Sequence, residues 1–245
     1  MPRPRRVALP LLVAVAAGGV LVLAGCVPEP KSAVAPLTFS APPLVPVASP
    51  ASEEPTPAPA PLRVVTLGDS LMSGAGLDHG QAWPDLLATR EDVALTNLAC
   101  AGMGFVVTGE CGTAYAGFSP AVAALQPEVI IVQSSSNDFG QDADQIRTDT
   151  DDTVTQLRDA APDARIVGLS TIWNDDPDVP DDTAVTTEAL HNAVDSVGGT
   201  FVDVGQPLIG HPEWLQDDDV HPTVRGQIAI EQTVVSRLQD AGVLP

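Results

Sequence analysis

Basic residues are scarce in this 245-residue chain: lysine and arginine together number 11, against 32 aspartates and glutamates, for a formal charge of −21. Lys31 is the only lysine. So acidic a surface repels phosphate backbones, which excludes nucleic acid as a partner, and it disfavours unassisted docking on anionic lipid. Cysteine is limited to three residues, and no Cys and His spacing of a zinc site occurs. The acidic run Asp175, Asp176 and Asp178, with Asp181 and Asp182, lacks the glycine and terminal glutamate of a calcium loop and reads as a solvated loop. No metal and no other cofactor is expected.

A long hydrophobic run appears from Val7 to Leu23, preceded by Arg3, Arg5 and Arg6. That is the layout of a bacterial export signal. The run ends in Leu23-Ala24-Gly25-Cys26, which resembles the lipobox of bacterial lipoproteins. The resemblance implies that residues 1–25 are a cleaved signal peptide and that Cys26 is diacylated, leaving the protein extracytoplasmic and lipid-anchored to the cell membrane. The alternative is a plain signal anchor with an incidental cysteine.

Residues 26–61 are dominated by Pro, Ala, Ser and Val, as in Pro55-Thr56-Pro57-Ala58-Pro59. Proline fixes φ and removes backbone donors, so this stretch reads as a disordered, extended spacer. At roughly 3.1 Å per residue it reaches on the order of 100 Å. Residues 62–245 are enough for one domain with a real core, expected to be a monomer. Within it, Cys100 and Cys111 lie in a compartment where disulfides persist. They form either a bridge closing a loop of about a dozen residues, contributing ~3 kcal/mol by the chain-entropy model, or two buried thiols.

Arg63 to Leu67 is a β-branched run that empties into a turn at Gly68, so Ser70 stands at the carboxyl end of a strand. Strands are also expected over 93–98, 128–133, 165–169 and 200–204, and helices near 83–89, 119–125, 145–160, 183–197 and 223–240. In the helix over 145–160, Ile146, Val154 and Leu157 share a face, and in the last helix Val224, Ile228, Val235 and Leu238 do. Strands alternating with helices predict a parallel sheet covered on both faces, with sites beyond the strands' carboxyl ends.

Four blocks fall at such strand ends or loops: Gly68-Asp69-Ser70-Leu71, Asn97-Leu98-Ala99-Cys100-Ala101-Gly102, Ser135-Ser136-Asn137-Asp138 and Asp218-Asp219-Val220-His221. Met72 excludes the Gly-X-Ser-X-Gly elbow, since it stands where the second glycine belongs. In this order the blocks resemble the SGNH, or GDSL, hydrolases over essentially all of 62–245. The resemblance implies a three-layer α/β/α sandwich around a central, mostly parallel five-stranded sheet of flavodoxin-like type.

It also implies roles. Ser70 is the nucleophile, His221 its base and Asp218 the carboxylate that orients the base, chosen over Asp217 and Asp219 because it alone keeps the family spacing. The oxyanion hole comprises the N–H groups of Ser70 and Gly102 and the side chain of Asn137. Glycine suits position 102 because a side chain there would obstruct the tetrahedral intermediate. Ser135 departs from the family's usual glycine and puts a side chain beside the site. His79, His191 and His211 read as surface or packing residues, and Trp83, Trp173 and Trp214 as core or rim packing.

The function implied is cleavage of carboxylic esters through an acyl-enzyme on Ser70, on a small-molecule, glycan or lipid ester. Two alternatives remain open at this point. One is acyl transfer or deacetylation on envelope glycan, and the other is a catalytically silent surface binding module.

Overall fold

A computed structural model describes residues 60–90 and 93–244. The signal segment, Cys26 and nearly all of the spacer lie outside the described residues. Five strands, β1 (Leu62–Leu67), β2 (Val93–Asn97), β3 (Val129–Gln133), β4 (Arg165–Leu169) and β5 (Thr200–Val202), form one sheet in the order β2-β1-β3-β4-β5. Every pairing is parallel, so the mostly parallel expectation becomes wholly parallel. Parallel neighbours need crossovers, and the chain supplies them with α2 (Trp83–Arg90), α3 (Ser119–Leu125), α4 (Ala143–Ala160) and α5 (Asp182–Ser196), followed by α6 (Val224–Asp240) after β5.

Successive strand residues point to opposite faces, and this alternation sorts the core into two layers. Val64, Ile131, Val167 and Leu169 pack with Trp83 and Leu87 of α2 and with Ile230, Val234 and Leu238 of α6. Val65, Leu67, Ile130, Val132 and Ile166 pack with Val122 of α3, Val154 and Leu157 of α4, and Leu190 and Val194 of α5. This is the three-layer α/β/α sandwich, with every strand's carboxyl end at one edge. No described helix is long and apolar enough to cross a membrane.

Two expectations need correction. A four-residue helix, α1 (Ser70–Ser73), starts where only a turn was read, because Asp69 caps its first turn and Gly74 ends it at φ 71°. The buried face of α6 also differs. It carries Gly226, Gln227, Ile230, Glu231, Val234 and Leu238, whereas Val224 is 37% exposed and Ile228 and Val235 are partly so. The apolar pattern misplaced the face because Gln227 and Glu231 are polar residues at its centre.

Cys100 and Cys111 are joined in a disulfide, with Cα atoms 6.3 Å apart. The bridge closes the loop that follows β2.

Candidate active site

β1 delivers the chain directly into α1. At Gly68 a Cβ would come 2.7 Å from the Met72 sulfur, so a larger residue would force the Met72 side chain to shift. Asp69 then caps the helix, its Oδ1 accepting the Leu71 N–H at 3.0 Å. Ser70 is the first residue of α1 and 6% exposed. A helix provides no acceptor for its first N–H groups, which leaves the Ser70 amide available to an anion.

The segment before α6 carries the fourth block. Gln216 Nε2 donates to the Ala75 carbonyl at 2.8 Å and to the Pro222 carbonyl at 2.9 Å, fastening this loop to the segment that follows α1. Asp218 Oδ1 accepts the N–H of Val220 at 3.1 Å and of His221 at 2.9 Å, while Oδ2 lies 2.6 Å from His221 Nδ1. Of the three neighbouring aspartates, Asp218 is therefore the one that holds the ring. The His221 hydrogen bond, with the two backbone N–H groups, pulls the Asp218 carboxyl down to about 2. A depressed carboxyl stabilises the fold above its ordinary value near 3.8, and that contribution fades as the pH falls toward 2. With Nδ1 engaged, Nε2 is the nitrogen left for a substrate or nucleophile.

Gly102 has φ +72°, a left-handed conformation that glycine adopts without strain. A Cβ there would meet only Gly109 Cα, at 3.7 Å, so within the protein the demand for glycine comes from the backbone rather than from crowding. Asn137 sits in a 3₁₀ turn over Ser136–Asp138. Its Nδ2 donates to the Met103 carbonyl at 3.0 Å, and an amide has two such N–H groups, so a second is left over. Asp138, fully buried, accepts the N–H groups of Phe105, Val106 and Val107 at 2.7, 3.1 and 3.1 Å. That carboxylate fixes the loop beyond Gly102, although burial raises its pKa.

Ser135 does not project into the site. Its hydroxyl is buried and donates to Asp69 Oδ2 at 2.5 Å, while accepting the Asn137 N–H at 3.0 Å. Burial raises the pKa of Asp69, opposed by the Ser135 and Leu71 hydrogen bonds and by the charge of His221.

Three of the four blocks meet at one cavity of ≈ 30 Å³, walled by Leu71, Ser136, Ile172, Trp173, Asn174 and Val220. Leu71 follows Ser70, Ser136 precedes Asn137 and Val220 precedes His221. The Trp173 ring stacks on Phe139 with centroids 5.5 Å apart. A larger concavity of ≈ 540 Å³ lies along α6 by Trp214, and one of ≈ 310 Å³ lies around Arg63 and Glu128, and neither touches these blocks.

His191 Nε2 lies 3.4 Å from Asp195, and His211 Nδ1 lies 3.1 Å from Glu213. His191 stacks on Phe201 and His211 on Trp214, and His79 is exposed. Trp83 is core. The acidic residues 176, 178 and 181 are exposed, and no group of three or more metal-ligating side chains occurs among the described residues. Sequence reasoning missed Gln227, whose Oε1 accepts the Trp83 N–H at 2.8 Å and whose Nε2 donates to the Leu71 carbonyl at 2.9 Å. It braces α1 from behind.

The model of the GDSL-like lipase/acylhydrolase family matches residues 66–229, a span that holds all four blocks. The chain belongs to that family. Among solved structures, this acylhydrolase is similar in fold to the psychrotrophic esterase EstA from Pseudoalteromonas sp., at 17% identity and TM-score 0.60, over 73% of this chain and 97% of that one. It is similar to a family two carbohydrate esterase from Clostridium thermocellum, at 15% identity and TM-score 0.61, over 77% of this chain and 66% of that one. It is also similar to the salicylyl-acyltransferase SsfX3 from a tetracycline biosynthetic pathway, at 20% identity and TM-score 0.62, over 77% and 57%. No curated protein sequence matches the chain.

Proposed function

We propose that the protein hydrolyses carboxylic esters in two steps, through an acyl-enzyme on Ser70. The observation that carries this reading is the convergence of the Ser70, Asn137 and His221 segments on one cavity, with His221 held by Asp218 at 2.6 Å. Ser70 Oγ attacks the acyl carbon as His221 Nε2 takes its proton. The oxyanion rests on the Ser70 and Gly102 N–H groups and the second N–H of Asn137. Collapse breaks the ester C–O bond, and the alcohol leaves with the proton from His221. Water then attacks the acyl-enzyme by the same path, releasing the acid and returning the proton to Ser70.

Family membership supports the reaction class, and an esterase of the same fold is inhibited by monoethylphosphonate. Short-chain nitrophenyl esters are the substrates with which to begin. Asn137→Ala is expected to lower kcat by about 10² to 10³ with little change in KM, the effect of losing one oxyanion donor. Steady-state kinetics measure this, and an unchanged kcat would remove Asn137 from the oxyanion hole.

The proposal extends to location. Cys26 in its lipobox supports a lipid anchor, with the spacer holding the domain away from the membrane. Cys26→Ser should abolish incorporation of radiolabelled palmitate into the protein. A wild-type protein found wholly in the soluble fraction would refute the anchor.

A further inference from the structure

A closed circuit of hydrogen bonds runs behind the proposed oxyanion donors. The Gly68 carbonyl accepts the Cys100 N–H at 3.0 Å, and the Cys100 carbonyl accepts the Met103 N–H at 3.3 Å. The Met103 carbonyl in turn takes the Asn137 side-chain N–H at 3.0 Å. From Asn137 the backbone N–H donates to Ser135 Oγ at 3.0 Å, and the Ser135 hydroxyl donates to Asp69 Oδ2 at 2.5 Å, one residue from the start. Ser70 and Gly102 lie on the chain segments this ring ties together.

We propose that Ser135 is a positioning residue for ester hydrolysis: its hydroxyl links the turn that carries Ser70 to the turn that carries Asn137, and so sets the distance between nucleophile and oxyanion donor. The inference rests on the hydrolase reading above. A hydroxyl meets this demand because it accepts and donates at once, whereas glycine or alanine at 135 breaks two links together. Water does not replace it easily, since Ser135 is 0% exposed and Asp69 4%. Each bond also strengthens its neighbour, because the Asn137 N–H polarises the hydroxyl that Asp69 accepts. The departure from the family's glycine thus supplies a connection rather than an obstruction.

A competing role is purely structural: Ser135 could serve only to solvate the buried Asp69 carboxylate. Removing the hydroxyl leaves that carboxylate short of a donor, which destabilises the fold whatever happens to catalysis. Asp69→Asn separates the two roles. Its amide carries no charge and can still donate to Ser135, so the link survives in D69N and is lost in D69N/S135A.

The test is a double-mutant cycle on a short-chain nitrophenyl ester, with kcat, KM and Tm measured for wild type, S135A, D69N and D69N/S135A. A positioning role predicts that Ser135→Ala lowers kcat about tenfold in either background, with KM changed less than twofold, because small misplacement of reacting groups is felt in the transition state. The Tm loss should shrink in the D69N background. A kcat effect that disappears in the D69N background overturns the inference, as does an unchanged kcat in S135A. Should S135A fail to fold, the comparison of D69N with D69N/S135A, which leaves no unpaired buried charge, decides alone. Absence of turnover by the wild type on every ester overturns the hydrolase reading and the inference with it, whereas wild-type turnover with unaltered variants overturns the inference only.

Discussion

Ser70→Ala should reduce ester hydrolysis by about 10⁴ to 10⁶ and abolish covalent labelling by a fluorophosphonate. The size follows from chemistry rather than from structure. Without Oγ no acyl-enzyme can form, and what remains is the stabilisation that the oxyanion donors give to direct attack by water. The fold should not change, since α1 is capped by Asp69 and closed at Gly74, and both groups are untouched. Equal Tm and far-UV circular dichroism for the two proteins therefore serve as the control. Labelling that survives in Ser70→Ala would place the nucleophile elsewhere, and wild-type protein that neither labels nor turns over any ester would mark a silent binding module.

Asp218→Asn is the second large effect, expected at about 10² to 10⁴ in kcat. An asparagine occupies the same space but can present its amide to Nδ1, which favours the tautomer that puts the proton on Nε2, where a base needs its lone pair. The lower bound allows for exposure, because the Asp218 side chain is about half exposed and water can partly replace it. Asp218 is held down to about 2, so it remains ionised well below neutral pH and does not itself switch the enzyme off. An Asp218→Asn variant within a few-fold of wild type would exclude this pair as the catalytic base and its support.

The sheet and its covering helices were legible because their signals are local. Val129 to Gln133 is an unbroken apolar run with one terminal amide, and α4 repeats Ile146, Val154 and Leu157 at helical spacing. The four blocks were legible for a different reason, their resemblance to a known pattern. What escaped was whatever depends on partners distant in sequence. Ser135 was read as an irregularity because its acceptor lies 66 residues away, and Gln227 was passed over because its partners lie 144 and 156 residues away. The face of α6 was misplaced for the same reason, since a buried glutamine looks like a surface residue until its acceptor and donor are known. At Gly102 the left-handed backbone that demands glycine is invisible in the letters alone.

Gln227 carries a consequence for the order in which the molecule becomes competent. A chain made from its N-terminus presents Ser70 early. The brace on the Leu71 carbonyl and the loop that holds His221 come from residues 216–227, which emerge long after Ser70. Until α6 docks against α2 and β1, the serine is an ordinary alcohol on an unsupported turn. The nascent polypeptide should therefore lack hydrolytic capacity until the segment over 216–227 packs against α1.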